Sequence, residues 1–200
     1  MSTQAIVKEA ARYKPVQIES ELYELTELLR TRNFQHILEI GTGGGGTLCV
    51  LARTASRDAT IISVDLPGGH FGGGYHDWAY PMLKGLATDQ QKLWLLREDS
   101  HSKKTLEDVQ VLLNGNPLDL LMIDGDHTYQ GVKQDYETYG PLVRQGGVIV
   151  FHDIVSTRSL IADDPPCEVG RFWNEIKTSH QHREIIDGSE AWAGIGVLYV

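Results

Sequence analysis

A short apolar run, His36–Ile40, passes straight into Gly41-Thr42-Gly43-Gly44-Gly45-Gly46 and then into a helical stretch over 45–55. Glycines at such a junction let the backbone turn sharply and let a ligand approach without a Cβ in the way. The helix start behind them offers free N–H groups to an anion. Glu39, Gly41, Gly43 and Gly45 spell E-x-G-x-G-x-G, while Gly41, Gly43 and Gly46 spell G-x-G-x-x-G. The same residues also suit a tight strand–helix turn that binds nothing. Two later strand ends carry polar groups fit for a nucleoside. Asp65 can accept from both ribose hydroxyls, or be a solvated strand-end acid. Asp99 can accept from an adenine amino group with Ser100 beside it. Ser100 or Ser102 can equally cap the helix that follows.

The rest of the chain alternates in the same sense. Strands are predicted at His36–Ile40, Thr60–Asp65, Leu93–Arg97, Asp119–Asp124 and Val148–Phe151. Helices are predicted near 45–55, 78–87, 103–113 and 129–143. Strands apolar on both faces, alternating with helices, specify a parallel sheet covered on both sides. After a loop at Asp163-Asp164-Pro165-Pro166 and a helix near 169–178, the pattern changes. Arg183–Ile186 and Gly196–Val200 lie too close for a crossover helix, so they should pair antiparallel. The expectation is an α/β fold with a mostly parallel seven-stranded sheet, an antiparallel last strand and helices on both faces.

Strand four ends in Asp124-Gly125-Asp126-His127 and strand five in His152-Asp153. Ligands of open α/β sheets bind outside the carboxyl ends of the strands, and neighbouring strands lie about 5 Å apart. Asp124, His127, His152 and Asp153 are therefore expected to converge beside the glycine loop. Such a group suits Mg²⁺ or Mn²⁺. Taken singly, His152 reads as a structural histidine and Asp126 as a helix cap.

Length and charge narrow the class. With 200 residues the chain is expected to form one domain, with residues 1–33 as a helical N-terminal extension bearing an amphipathic helix over 18–31. The net charge of −9 speaks against a nucleic acid partner. Two cysteines, Cys49 and Cys167, make no disulfide framework, and no apolar run reaches membrane-spanning length. A cytoplasmic protein with no membrane partner is expected, with homo-oligomerisation left open. Residues 67–81 combine five glycines with Phe71, Tyr75, Trp78 and Tyr80. That mixture reads as a lid over an acceptor pocket, or else as a disordered connection or an oligomer contact.

Three stretches carry a family resemblance. They are Leu38-Glu39-Ile40-Gly41-Thr42 with Gly45-Gly46-Thr47, Asp119 to Tyr129 with Val132-Lys133-Gln134-Asp135, and Pro141 to Gly147 with His152-Asp153. Together with Val169-Gly170-Arg171-Phe172-Trp173, they resemble the methyltransferase 24 branch of the Rossmann-like class I methyltransferases. The resemblance implies S-adenosylmethionine as cofactor, held by Glu39, Gly41, Thr42, Gly43, Gly45, Asp65, Asp99, Ser100 and Asp124. It implies O-methylation of a small acceptor: a sugar, natural product or phenolic. In related sugar O-methyltransferases a D-x-x-H motif supplies a metal ligand and a general base, and Asp124 and His127 fall on those positions. An acid–Asp pair completes that metal site, and here it reads His152-Asp153. The implied metal residues are Asp124, Asp153 and His152. An NAD(P)-dependent oxidoreductase, a non-catalytic cofactor-binding protein and a metal-dependent hydrolase share parts of this pattern.

Overall fold

The computed structural model describes residues 1–88, 90–156, 164–189 and 192–200. Seven strands form one sheet: β1 (His36–Ile40), β2 (Thr60–Val64), β3 (Lys92–Leu96), β4 (Leu118–Ile123), β5 (Val143–Phe151), β6 (Gln181–Ile185) and β7 (Ile195–Tyr199). Their order is β3-β2-β1-β4-β5-β7-β6. The first five strands pair parallel, and β7 runs antiparallel to both of its neighbours. The expected antiparallel last strand is present. Asp163 of the predicted loop lies outside the described residues.

Period-two alternation sorts the strand residues onto two layers. Ile37, Ile61, Leu93, Leu120, Met122 and Val150 pack under one set of helices. These are α1 (Thr3–Ala10), α2 (Glu19–Arg30), α3 (Gly46–Thr54) and the single turn α4 (Tyr80–Lys84). Leu38, Ile40, Ile62, Ile123 and Phe151 pack on the other face. Their cover is α5 (Lys103–Leu113), α6 (Tyr129–Tyr139) and α7 (Val169–Ile176). Thr128 caps α6 by accepting from Gly131 N at 3.0 Å. Asp126 instead closes an Asx turn onto Thr128 N at 2.8 Å. No helix among the described residues is long and apolar enough to cross a membrane.

The register sets up the site. Ile40 pairs with Val64 and with Ile123, and Ile123 pairs with Phe151. One residue beyond those partners stand Gly41, Asp65, Asp124 and His152. The ladder continues through them: Gly41 N donates to Val64 O and Asp124 N to Ile40 O, both at 2.8 Å. Four loops of very different sequence position thus leave the sheet at one level.

Candidate active site

A cavity of about 590 Å³ opens at this carboxyl edge. Gly41, Thr42, Gly43 and Asp65 line it from the ends of β1 and β2, with Asp99 and Ser100 after β3; Asp124, His127, His152 and Asp153 line it from the ends of β4 and β5. Glu39 and Gly45 are absent from the wall. A Cβ on Gly45 would strike Leu83 at 2.2 Å, so this glycine serves packing against α4.

Glu39 shares its sheet face with Ile37 and is 0% exposed. Its Oε2 accepts from Ser63 Oγ at 2.6 Å, and Ser63 Oγ lies 2.5 Å from Thr42 Oγ1. Burial, reinforced by the charges of Asp65 and Asp124 against the Ser63 bond, pushes the Glu39 carboxyl up to about 8. The folded protein therefore holds a proton there that the unfolded chain releases near 4.5. Linkage then gives the sign: the stabilisation is complete below the unfolded value and is lost as pH rises toward 8. Glu39→Gln should match the wild-type melting temperature at pH 5 and exceed it by roughly 5 °C at pH 9. Equal melting-temperature differences at the two pH values would show that Glu39 is not held neutral.

Gly41 and Gly43 do different things. Gly41 adopts φ +90°, and a Cβ there would lie 1.9 Å from the backbone oxygen of Asp124. Gly43 adopts φ +49° with nothing within 4 Å of a Cβ, and its N–H donates to Asp65 Oδ2 at 2.9 Å. The open side of the loop is thus at Gly43, and Asp65 ties that loop to β2 as well as facing the cavity. The loop's other side is covered by residues 13–17. A Cβ on Gly44 would meet the Tyr13 carbonyl at 2.2 Å. Lys14, Pro15, Val16 and Gln17 continue across the cavity mouth.

The second cluster is dense. His152 Nδ1 lies 3.2 Å from Asp124 Oδ1 and 3.3 Å from Asp153 Oδ2. His127 spans the same two acids, with Nε2 3.4 Å from Asp124 Oδ1 and Nδ1 3.3 Å from Asp153 Oδ2. The outer carboxylate oxygens are engaged too. Gln17 Nε2 donates to Asp124 Oδ2 at 2.8 Å, and Ser156 Oγ donates to Asp153 Oδ1 at 2.7 Å. Asp153 holds φ +63°, uncommon for a residue with a side chain. Burial alone would raise both acids and lower both imidazoles. Proximity wins: His152 and His127 hold Asp124 below the usual carboxylate range, and Asp153 is held well below it. His127 is pushed up to about 10 by its bonds to Asp124 and Cys167 and by the charge of Asp153. His152 is likewise raised. The imidazole of His127 is thus a cation in this environment, whereas an ordinary histidine titrates near neutrality.

Several members of the site carry no sequence motif. Gln17 comes from the N-terminal extension, 107 residues from its partner Asp124. Cys167 lines the cavity and brings its sulfur within 4.8 Å of the ligand atoms of His127 and Asp153. Phe71, within 67–81, stacks on His127 with centroids 4.6 Å apart. Its N–H donates to Asp164 Oδ2 at 2.5 Å, and His70 Nδ1 lies 3.0 Å from Asp164 Oδ1.

A family model described as a methyltransferase domain matches residues 38–154. The fold matches the O-methyltransferase TomG from Streptomyces achromogenes, involved in tomaymycin synthesis and solved with SAM. That match has 20% identity and a TM-score of 0.64, covering 98% of this chain and 89% of TomG. It also matches the MycE methyltransferase of the mycinamycin pathway, solved with Mg, SAH and mycinamycin VI. There the identity is 19% and the TM-score 0.53, over 74% of this chain and 39% of MycE. At such identities the likeness is one of fold. A stretch of 38 residues is 53% identical to the uncharacterized protein R132 of Acanthamoeba polyphaga mimivirus. That stretch spans 19% of this chain and 17% of the viral protein.

Proposed function

The chain belongs to the methyltransferase-domain family whose model spans residues 38–154, and on that premise we propose that it transfers the methyl group of S-adenosylmethionine to a hydroxyl of a small molecule. One observation carries the proposal: the glycine loop with Asp65 and the Asp/His cluster line a single cavity at the carboxyl edge of the sheet. The cofactor end fits the group. Gly43 leaves its Cβ space open beside Asp65. The N-terminus of α3 stands behind the loop with free N–H groups for a carboxylate. Asp65 then takes the ribose and Asp99 the adenine amino group. The oxidoreductase alternative rests on the glycine loop and Asp65, and nothing in the Asp/His cluster supports it.

The donor set at the other end fits a divalent ion. Asp124 Oδ1, His152 Nδ1 and Asp153 Oδ2 converge within 4.8 Å. Their closest separations of 3.2 and 3.3 Å are near the roughly 3 Å edge of an octahedral shell with bonds of about 2.1 Å. An imidazole in the set favours Mn²⁺ or a softer ion over Mg²⁺. Such an ion would supply Lewis acidity that lowers the pKa of an acceptor hydroxyl. The chain's own residues do the rest. Asp124 and Asp153 orient His127 through both ring nitrogens, and Gln17 and Ser156 fix those acids. With Asp124 and Asp153 drawn onto a cation, one ring nitrogen of His127 would be released to take the acceptor's proton as general base. Residues 67–81 act as a lid: Phe71 over His127 excludes water from the reacting atoms. Residues 1–200 act as one catalytic domain.

Calorimetric titration tests this reading. S-adenosylmethionine should bind with micromolar affinity and NADH should not. Mn²⁺ should bind the wild type and bind Asp153→Asn at least tenfold more weakly. NADH binding in place of S-adenosylmethionine would overturn the cofactor assignment. Equal Mn²⁺ affinity in the two proteins would overturn the metal assignment alone.

A further inference from the structure

Helix α6 grips the turn that follows β3 in three ways. Tyr139 Oη donates to Ser100 O at 2.7 Å. Gln134 Nε2 donates to His101 O at 3.4 Å. Asp135, 0% exposed, places Oδ1 3.4 Å from His101 Nε2, which also lies 3.2 Å from Gly131 O. Neither Asp135 oxygen makes a well-aligned hydrogen bond. A buried carboxylate in that state is costly unless a cation stands by it, and His101 is what faces it. His101 lines the cavity next to Asp99. Its backbone N–H donates to Asp99 Oδ1 at 2.9 Å, and its Nδ1 lies 4.0 Å from the same oxygen. The turn thus holds a carboxylate acceptor and an imidazole side by side at the nucleoside end of the cavity.

We infer that His101, held in place by the buried Asp135, reads the purine edge of the bound cofactor beside Asp99 and selects an amino-bearing purine over a keto-bearing one. This rests on the cofactor assignment made above. Adenine presents an amino donor next to the N1 acceptor. Hypoxanthine presents a keto acceptor next to an N1–H donor. Asp99 accepting and His101 donating match the first edge at both positions and oppose the second at both. Sites built on such pairing reject the mispaired analogue strongly, because the buried polar groups are left unpaired. Three acids face His101: Asp135 from α6, Asp99 from its own turn and Asp126 from the turn before α6. The Asp135 carboxylate 3.4 Å from Nε2, with the charges of Asp99 and Asp126, pushes the imidazole up to about 9 despite partial burial, so the donor is present at neutral pH. Asp135 is a positioning residue, acting through His101.

The test is calorimetric titration of S-adenosylhomocysteine and its deaminated inosine counterpart. The wild type should prefer the adenine compound by about 100-fold or more. His101→Phe should lose at least tenfold in affinity for the adenine compound and change less than threefold for the inosine one. His101→Gln, which keeps an N–H donor, should recover part of the preference. In Asp135→Asn the imidazole falls back toward 6.5. Its adenine affinity should therefore drop as pH rises through 7, where the wild type holds to about 9. Unchanged selectivity in a folded His101→Phe protein overturns the inference and leaves the cofactor assignment standing. Failure of the wild type to bind either compound overturns both.

Discussion

His127→Ala is expected to lower turnover about 10³-fold while changing S-adenosylmethionine affinity less than threefold. On the proposed reading His127 serves the acceptor from the loop after β4, while Gly43 and Asp65 stand after β1 and β2, so the proposed cofactor contacts are untouched by its removal. What disappears is the imidazole that spans Asp124 and Asp153 and lies under Phe71. The loss also strips a cation from the buried Asp153 and the half-buried Asp124, which lowers stability. His127→Gln keeps an N–H donor for one acid and separates the two effects. Turnover should stay low in that variant while the melting temperature recovers. The pH profile supplies a second reading. With its proton held up to about 10, His127 becomes a base only as pH rises, so wild-type activity should climb through the alkaline range. Neutralising Asp124 and Asp153 with a bound cation should move the climb to lower pH. An equal loss of cofactor affinity and turnover in His127→Ala would remove the base assignment.

The architecture was legible because hydrophobic patterning and strand ends are local signals. The predicted strands agree with the observed ones to within a residue or two, except β5. That strand begins at Val143, because its pairing continues past Gly146-Gly147 with a register shift. Within the expected helical extension 1–33 the sequence places a helix over 18–31, and ahead of it stands α1. It is eight residues long and owes its place to packing of Ile6 and Ala10 against α2 and α3. The strand-end residues were legible for a geometric reason: parallel register carries Asp65, Asp124 and His152 to one edge whatever their separation in sequence. Glu39 shows what a motif leaves unsaid about burial. Its position in E-x-G-x-G-x-G suggests a ligand contact, yet its parity with Ile37 puts it inside. Gln17 and Cys167 reach the site through contacts distant in sequence that no local pattern announces, whereas Phe71 falls in the glycine- and aromatic-rich segment read as a lid.

Gly41→Ala should destabilise the protein by about 3–5 kcal/mol, while Gly43→Ala should cost only about 1–2 kcal/mol. The two glycines are two residues apart in one loop and both have positive φ. They differ in what surrounds them. A methyl at Gly41 would sit 1.9 Å from the backbone oxygen of Asp124, and that oxygen cannot retreat. Asp124 N is already bonded to Ile40 O, and its carboxylate is fixed by Gln17, His127 and His152. Relieving the clash means prising β1 from β4 at the centre of the sheet, which would also spread the acid cluster. At Gly43 the methyl meets open space, so only the left-handed backbone is penalised. That open space is where the cofactor should lie. Gly43→Ala should therefore fold and still lose at least tenfold in S-adenosylmethionine affinity. Denaturant melts and calorimetry on the two variants separate the roles. A Gly41→Ala protein within 1 kcal/mol of wild type would show that the loop and β4 can part without cost. Wild-type cofactor affinity in Gly43→Ala would place the cofactor elsewhere in the cavity.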